Sequence, residues 1–248
     1  MTANLLLRGG PGHDFEGTSA VVVDALAEVG IATDVVDDPD EAVARLAAAE
    51  VGHASPIDLF TVDALRWSMR QARYDGPGGE EVRRLHAYRL PDEGAGTIDR
   101  FVRSGGGVLA LHTAVICFDA DPRWHALCGA VWRWGESVHP PVGPAAVRVT
   151  PAGRAHPVTA GVDDFEVVDE VYGFLDEVAD LEPLLTSFHG GRHHPVVWAR
   201  EVGDGRVATD LLGHDPASFE HPTHRRIVQQ AAAWACRLPL AAAREAGS

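Results

Sequence analysis

Gly105-Gly106-Gly107-Val108-Leu109-Ala110-Leu111-His112-Thr113-Ala114-Val115-Ile116-Cys117-Phe118 is the stretch that decides the fold. Three glycines stop whatever precedes them. Val108 to Leu111 then read as a short strand that is apolar on both faces, as in a parallel sheet covered on each side. The polar pair His112-Thr113 follows at once. In an open α/β sheet, ligands collect beyond the carboxyl ends of the strands. A histidine at that point serves either chemistry or a core hydrogen bond to backbone.

The flanking sequence repeats the alternation of strand and helix. Asn4 to Arg8 reads as a strand ending in Gly9-Gly10-Pro11-Gly12, with His13 next. Thr18 or Ser19 is placed to cap a helix through Val29, and Ile31 to Val36 alternates as a second strand. The glycine loop lacks the third glycine of a dinucleotide fingerprint, so a phosphate cradle is disfavoured. Pro39 to Ala49 reads as a helix, Ser55 to Leu65 as a third strand, and Pro91 to Ser104 as the helix that delivers the chain to Gly105. Residues 66–90 fit no period and carry a Gly/Pro cluster, which predicts an insertion over one sheet edge or a lid. Asp121 to Cys128 reads as a helix. Ala145 to Thr150, Leu184 to Phe188, and the pair Pro195–Arg200 and Arg206–Leu212 around Gly203-Asp204-Gly205 read as strands. Pro222 to Leu238 closes the fold, and residues 241–248 read as a disordered tail. A single domain over residues 1–240 accounts for all of this.

Composition narrows the functions. The chain has 248 residues, 46% apolar and 23% charged, with 21 basic against 36 acidic residues and a net charge of −15. That balance disfavours nucleic acid and anionic membranes as partners. Every basic residue is Arg, which excludes a Schiff-base or P-loop lysine. Three cysteines without CxxC spacing, no N-terminal signal pattern and no apolar run of membrane length predict a cytoplasmic protein.

The histidines carry the functional signal. There are 13, and His13, His112, His189 and His214 each follow an expected strand. A parallel sheet would bring such residues to one rim. Three chemistries could use them: a metal site of imidazoles with a carboxylate, with Zn or Mn as the candidate ions; general acid–base catalysis by His or Glu; and nucleophilic catalysis, for which the required Ser or Cys is missing at position 112. Asp169-Glu170 interrupts an apolar run, and buried acids are costly unless paired, so one of them is expected to face a site or a histidine. Trp132-Arg133-Trp134 with Glu136 and His139 offers flat aromatic faces beside hydrogen-bonding groups, which suit a sugar ring or a core.

Taken in order, several motifs resemble the ThuA-like family, named for trehalose utilization. They are residues 105–114, Val138-His139-Pro140, His156-Pro157-Val158-Thr159-Ala160-Gly161, Asp169-Glu170-Val171-Tyr172, Pro195-Val196-Val197-Trp198, Gly205-Arg206-Val207 and Leu212-Gly213-His214-Asp215. The resemblance implies an α/β class: one flavodoxin-like domain of the class I glutamine amidotransferase type, mostly parallel, with helices on both faces. It also implies catabolism of a carbohydrate alongside oxidoreductases that make 3-keto sugars. His112 stands where amidotransferases carry the nucleophilic Cys, so glutamine hydrolysis is not expected. Residues 66–90 depart from shorter members. The expected enzyme acts on a sugar or 3-keto-glycoside as a lyase, hydrolase or isomerase. His112, Glu170 and His214 would be catalytic, and His13, Trp134, His139, Tyr172 and Asp215 would bind substrate. The alternatives are a non-catalytic sugar-binding or regulatory module and a metal-dependent hydrolase of another small molecule. The expected partners are a small carbohydrate and, in a homo-oligomer, further copies of the chain.

Overall fold

A computed structural model describes residues 2–50, 56–71 and 74–239. The chain opens with β1 (Thr2–Gly9), α1 (Phe15–Glu28), β2 (Ile31–Val36), α2 (Pro39–Glu50) and β3 (Leu59–Ala64). It continues through α3 (Pro77–His86), α4 (Asp92–Arg103), β4 (Gly107–Leu111), α5 (Pro122–Cys128), β5 (Ala130–Val131), β6 (Gly143–Val149), α6 (Pro151–Ala155), β7 (Phe165–Asp169) and β8 (Asp176–Glu177). It ends with β9 (Pro183–His189), β10 (Arg192–Val202), β11 (Gly205–Asp210), α7 (Pro216–Glu220) and α8 (Pro222–Ala235).

Nine strands form one sheet in the order β2-β1-β3-β4-β11-β10-β9-β6-β7. The β1–β2, β1–β3, β3–β4 and β4–β11 pairs are parallel. The β11–β10, β10–β9, β9–β6 and β6–β7 pairs are antiparallel. Two reversals return β9 to the direction of β11, and two more return β7. Within this sheet only β10 and β6 therefore run the other way, and the carboxyl ends of β1, β4, β11, β9 and β7 share one rim. This is the expected α/β class, with antiparallel pairing concentrated in the second half.

The continuous apolar runs are explained by burial on both faces. Leu5, Leu7, Phe60, Val62, Val108, Ala110 and Val207 pack with residues of α2, α4 and α5. The intervening Leu6, Leu59, Leu109, Leu111 and Ala208 pack with α1 and α8 on the opposite face. Pro195 is accommodated in the inner strand β10 because the ladder to β9 shifts register just beyond it.

Several expectations change. α1 begins three residues before Thr18, because the Asp14 carboxylate accepts from the Gly17 N–H and caps it. Thr18 and Ser19 lie inside the helix. β3 starts at Leu59 rather than Ser55; residues 51–55 lie outside the described residues, as does the expected tail at 241–248. Phe165–Asp169 ends as a strand at the first acid, so Glu170 falls on the rim. Within 66–90, Trp67 and Met69 are fully buried in the core, and the largely exposed α3 follows them. Short α7, opened by Pro216 at its first turn, was not anticipated.

Candidate metal-type histidine–carboxylate site

The rim assembles residues far apart in the chain. His13 follows β1, His112 follows β4, Glu170 follows β7 and His214 follows β11. One ligand-type atom from each lies within 4.8 Å of every other. Among the described residues, no other group of three or more His, Cys, Asp or Glu side chains gathers donors so closely. The imidazole centroids of His13 and His214 stand 4.7 Å apart, those of His13 and His112 5.2 Å, and those of His112 and His214 5.6 Å.

Local structure fixes each group. His112 takes a left-handed backbone, φ 43°, at the turn between β4 and the 3-10 segment His112–Ile116. Its Nδ1–H donates to the Leu211 carbonyl at 2.7 Å. A carbonyl can only accept, so Nδ1 carries a proton, and in the neutral form of the ring Nε2 presents its lone pair to the cluster. Glu170 divides its two oxygens. Oε2 is 3.3 Å from His214 Nδ1 and 3.6 Å from His112 Nε2, while Oε1 is 2.7 Å from His139 Nδ1.

Asp169, the neighbouring acid, points away and serves the backbone. Its carboxylate accepts from the N–H groups of Glu170 at 2.7 Å, Gly213 at 2.7 Å and His214 at 3.1 Å, and from the Ser218 hydroxyl. This clamp ties the end of β7 to the loop after β11. Beneath it lies His224, fully buried. Its Nε2 lies 3.1 Å from Asp210 Oδ2 and its Nδ1 donates to the Ser218 carbonyl at 2.9 Å. Burial opposes charge on His224, but Asp210, Asp169 and the Ser218 carbonyl outweigh it and raise its pKa.

The same balance governs the rim. Burial works against charge on His112, yet Glu170, Asp169 and the Leu211 carbonyl raise its pKa. Burial likewise opposes the Glu170 carboxylate, but the three histidines His112, His139 and His214 hold it below its ordinary range. His13 goes the other way: burial, with His112 and His214 beside it, pushes its pKa down to about 4.

An aromatic wall borders the cluster. Tyr172 packs on His112 at 4.6 Å between centroids, on Trp132 at 4.9 Å and on His139 at 5.6 Å. Trp132 touches His139 and Trp134, and Trp134 stacks on Trp67. The 66–90 segment thus supports the wall from behind. A small cavity beyond Tyr172 is lined by Phe174, Arg192, His194 and Trp198.

Residues 85–235, more than half of the chain, match the profile of the ThuA family, described as trehalose utilisation. The chain belongs to the ThuA family. The matched segment contains His112, His139, Glu170 and His214; His13, in the loop after β1, lies outside it. Among solved structures, a putative ThuA-like protein from Parabacteroides merdae superposes with TM-score 0.73 at 18% identity, covering 95% of this chain and 90% of that one. Another, from Bacteroides uniformis, gives TM-score 0.67 at 15% identity, covering 94% and 91%. A β-galactosidase from Rahnella gives TM-score 0.56 at 15% identity, covering 96% of this chain but 31% of the enzyme. At these identities the likeness is one of fold. No curated protein matches the chain.

For this ThuA-family chain the structure brings together five of the sequence-nominated residues directly: His13, His112, His139, Glu170 and His214. Tyr172 packs on them. Trp134 stands one ring further out, behind Trp132. Asp215 does not join the cluster; its Oδ1 accepts from Ser218 N–H and caps α7. His189 ends on the same rim, yet its ring packs on His194 and Phe174 and is not among the clustered donors. Residue reasoning had no means of separating Asp169 from Glu170, and it missed Asp63, Asp210, Ser218 and His224. An acid at the carboxyl end of an apolar strand, as Asp63 and Asp210 both are, is the signal that could have found two of them.

Proposed function

We propose that this chain is an enzyme of carbohydrate metabolism that acts on a keto sugar, a 3-keto-glycoside, by proton transfer at the rim. Membership of a trehalose-utilisation family supports the substrate class. The observation that carries the reading is the division of Glu170: one oxygen faces His112 and His214, and the other lies 2.7 Å from His139, whose ring is partly exposed. His139 is thereby a base oriented by a carboxylate at the edge of the site.

The chemistry suits such a base. A ketone at C3 acidifies the C–H bond at C2. His139 takes that proton, and the C–H electrons form the C2–C3 double bond as the carbonyl becomes an enolate. Collapse of the enolate restores the C3 carbonyl, moves the C2–C3 electrons into a C1–C2 double bond and breaks the C1–O bond, and the leaving oxygen departs as an alcohol after taking a proton from the His139 imidazolium. Reprotonation of the enolate instead gives an isomer. Trp132, half-buried and backed by the buried Tyr172, offers a flat apolar face for the ring. The fold is read as amidotransferase-like, with His112 in place of the thiol. Cys117, five residues later, is fully buried, and burial pushes its pKa up to about 12, so it offers no nucleophile.

The test incubates the protein with disaccharides and their 3-keto derivatives in D2O and follows the products by mass spectrometry. Turnover or C2 deuteration of the oxidised sugars, lost in His139→Ala, is expected. Sugar binding in calorimetry with neither turnover nor exchange would convert the reading to a binding module.

A further inference from the structure

We infer that His13, His112, His214 and Glu170 form a binding site for a single divalent transition-metal ion, with His139 held against the outer oxygen of its carboxylate ligand. The inference goes beyond the sugar reading and stands without it, because it concerns what fills the cluster rather than what reacts there.

The first ground is unmet hydrogen bonding. His112 is 2% exposed and its Nε2 has no partner; both ring nitrogens of His13 and Nδ1 of His214 are also buried without one. Each such group costs about 1–3 kcal/mol when left unpaired. One donor atom from each of these three rings gathers with a Glu170 oxygen within 4.8 Å. A network built only to share protons would bring N–H groups into hydrogen-bond range of Glu170. Here Oε2 stands 3.3 and 3.6 Å from two imidazole nitrogens and bonds neither.

The second ground is dimension. Imidazole and carboxylate donors sit about 2.0–2.2 Å from zinc, which puts neighbouring donors of a tetrahedral ion roughly 3.3–3.6 Å apart. The two Glu170 distances match that spacing. The outer limit of 4.8 Å exceeds the ~4.2 Å between opposite ligands of an octahedral ion with similar bond lengths, so the widest pair closes by roughly half an ångström or more around an ion.

The third ground is the outer layer. Metal-binding imidazoles commonly donate their other N–H to a backbone carbonyl, which fixes the tautomer. His112 does this through Nδ1 to Leu211. The loop that carries His214 is fixed by Asp169 through the N–H groups of Gly213 and His214. Asp210 and His224 brace it from below: Asp210 Oδ1 accepts from Leu212 N–H, and His224 donates to Ser218. Gly213 itself, at φ 109°, admits no side chain, since a Cβ would fall 2.2 Å from the Phe219 ring. Three imidazoles and one carboxylate suit zinc, manganese, iron(II) or cobalt rather than calcium or magnesium, which prefer all-oxygen cages.

The test uses the full-length protein, stripped with chelator and titrated calorimetrically with Zn2+ and with Mn2+. Elemental analysis of the protein before stripping runs in parallel. One equivalent of metal is expected, with affinity reduced at least about 100-fold in His13→Ala and in His214→Ala, ligand loss being no milder than loss of an outer-layer partner. Co2+ loaded into wild-type protein should give visible absorption of a nitrogen- and oxygen-ligated ion, a readout that needs no variant to fold. Absence of stoichiometric binding by both ions, or binding that both variants retain unchanged, would overturn the site. Metal binding without turnover of any sugar would leave the site standing and remove only the proposed substrate.

Discussion

Replacing Asp63 by Asn should stabilise the protein, and by an amount that grows with pH. Asp63 lies near the carboxyl end of β3, 2% exposed, beneath the histidine rim. Burial pushes its pKa up from 3.8 to about 7; the Thr18 hydroxyl, donating at 2.8 Å, and the charges of His112 and Arg8 pull it back only in part. In the unfolded chain the carboxyl ionises near its ordinary value. Between pH 3.8 and about 7 the folded protein thus holds a proton that the unfolded chain has lost. Stability falls with rising pH across that window and levels off above it. At ~1.4 kcal/mol per pH unit, the interval corresponds to about 4 kcal/mol at pH 8 and to roughly 1.5 kcal/mol at pH 5. Asn is isosteric, carries no charge and can still accept from Thr18. Urea unfolding of both proteins at pH 5, 6.5 and 8 should show an advantage for Asp63→Asn that widens by about 2–3 kcal/mol over the series. A constant difference, or a variant less stable than wild type at pH 8, would refute the claim that this acid is carried into the fold at the expense of its charge.

Two further outcomes follow from neighbouring contacts. Asp169→Ala removes the acceptor of three backbone N–H groups and one hydroxyl, and should cost about 3 kcal/mol or more in denaturant unfolding; a loss under about 1 kcal/mol would show that Asp169 does not clamp the loop. Cys117→Ala should leave sugar turnover intact, and peptide mapping after treatment of native wild-type protein with a thiol reagent at pH 8 should find Cys117 unmodified. Ready labelling there would contradict its burial and its hydrogen bond to the Ala64 carbonyl at 3.0 Å.

Much of the fold was legible because sheet strands buried on both faces must be apolar throughout. Val108–Leu111 and Leu5–Leu7 announce such strands, and the glycines around them announce their ends. The cap of α1 was misplaced because Asp14, Thr18 and Ser19 are all competent caps, and only the backbone geometry at Asp14 selects among them. Residues 66–90 resisted reading because Trp67 and Met69 are buried by tertiary packing against Trp134 and the core, which imposes no period on the sequence.

The sequence by itself determined the alternation of strand and helix and put histidines just past four strand ends, since burial and backbone geometry act over a few neighbouring residues. Which of those histidines meet was decided by strand order. β1, β4 and β11 lie within the first five positions of the sheet, and the paired reversals through β10, β9 and β6 bring β7 back in the same direction with Glu170 at its tip. Tertiary structure also separated twin acids that look alike in sequence. The chain turns out of β7 at Asp169, so one carboxylate meets backbone N–H groups and the next meets imidazoles.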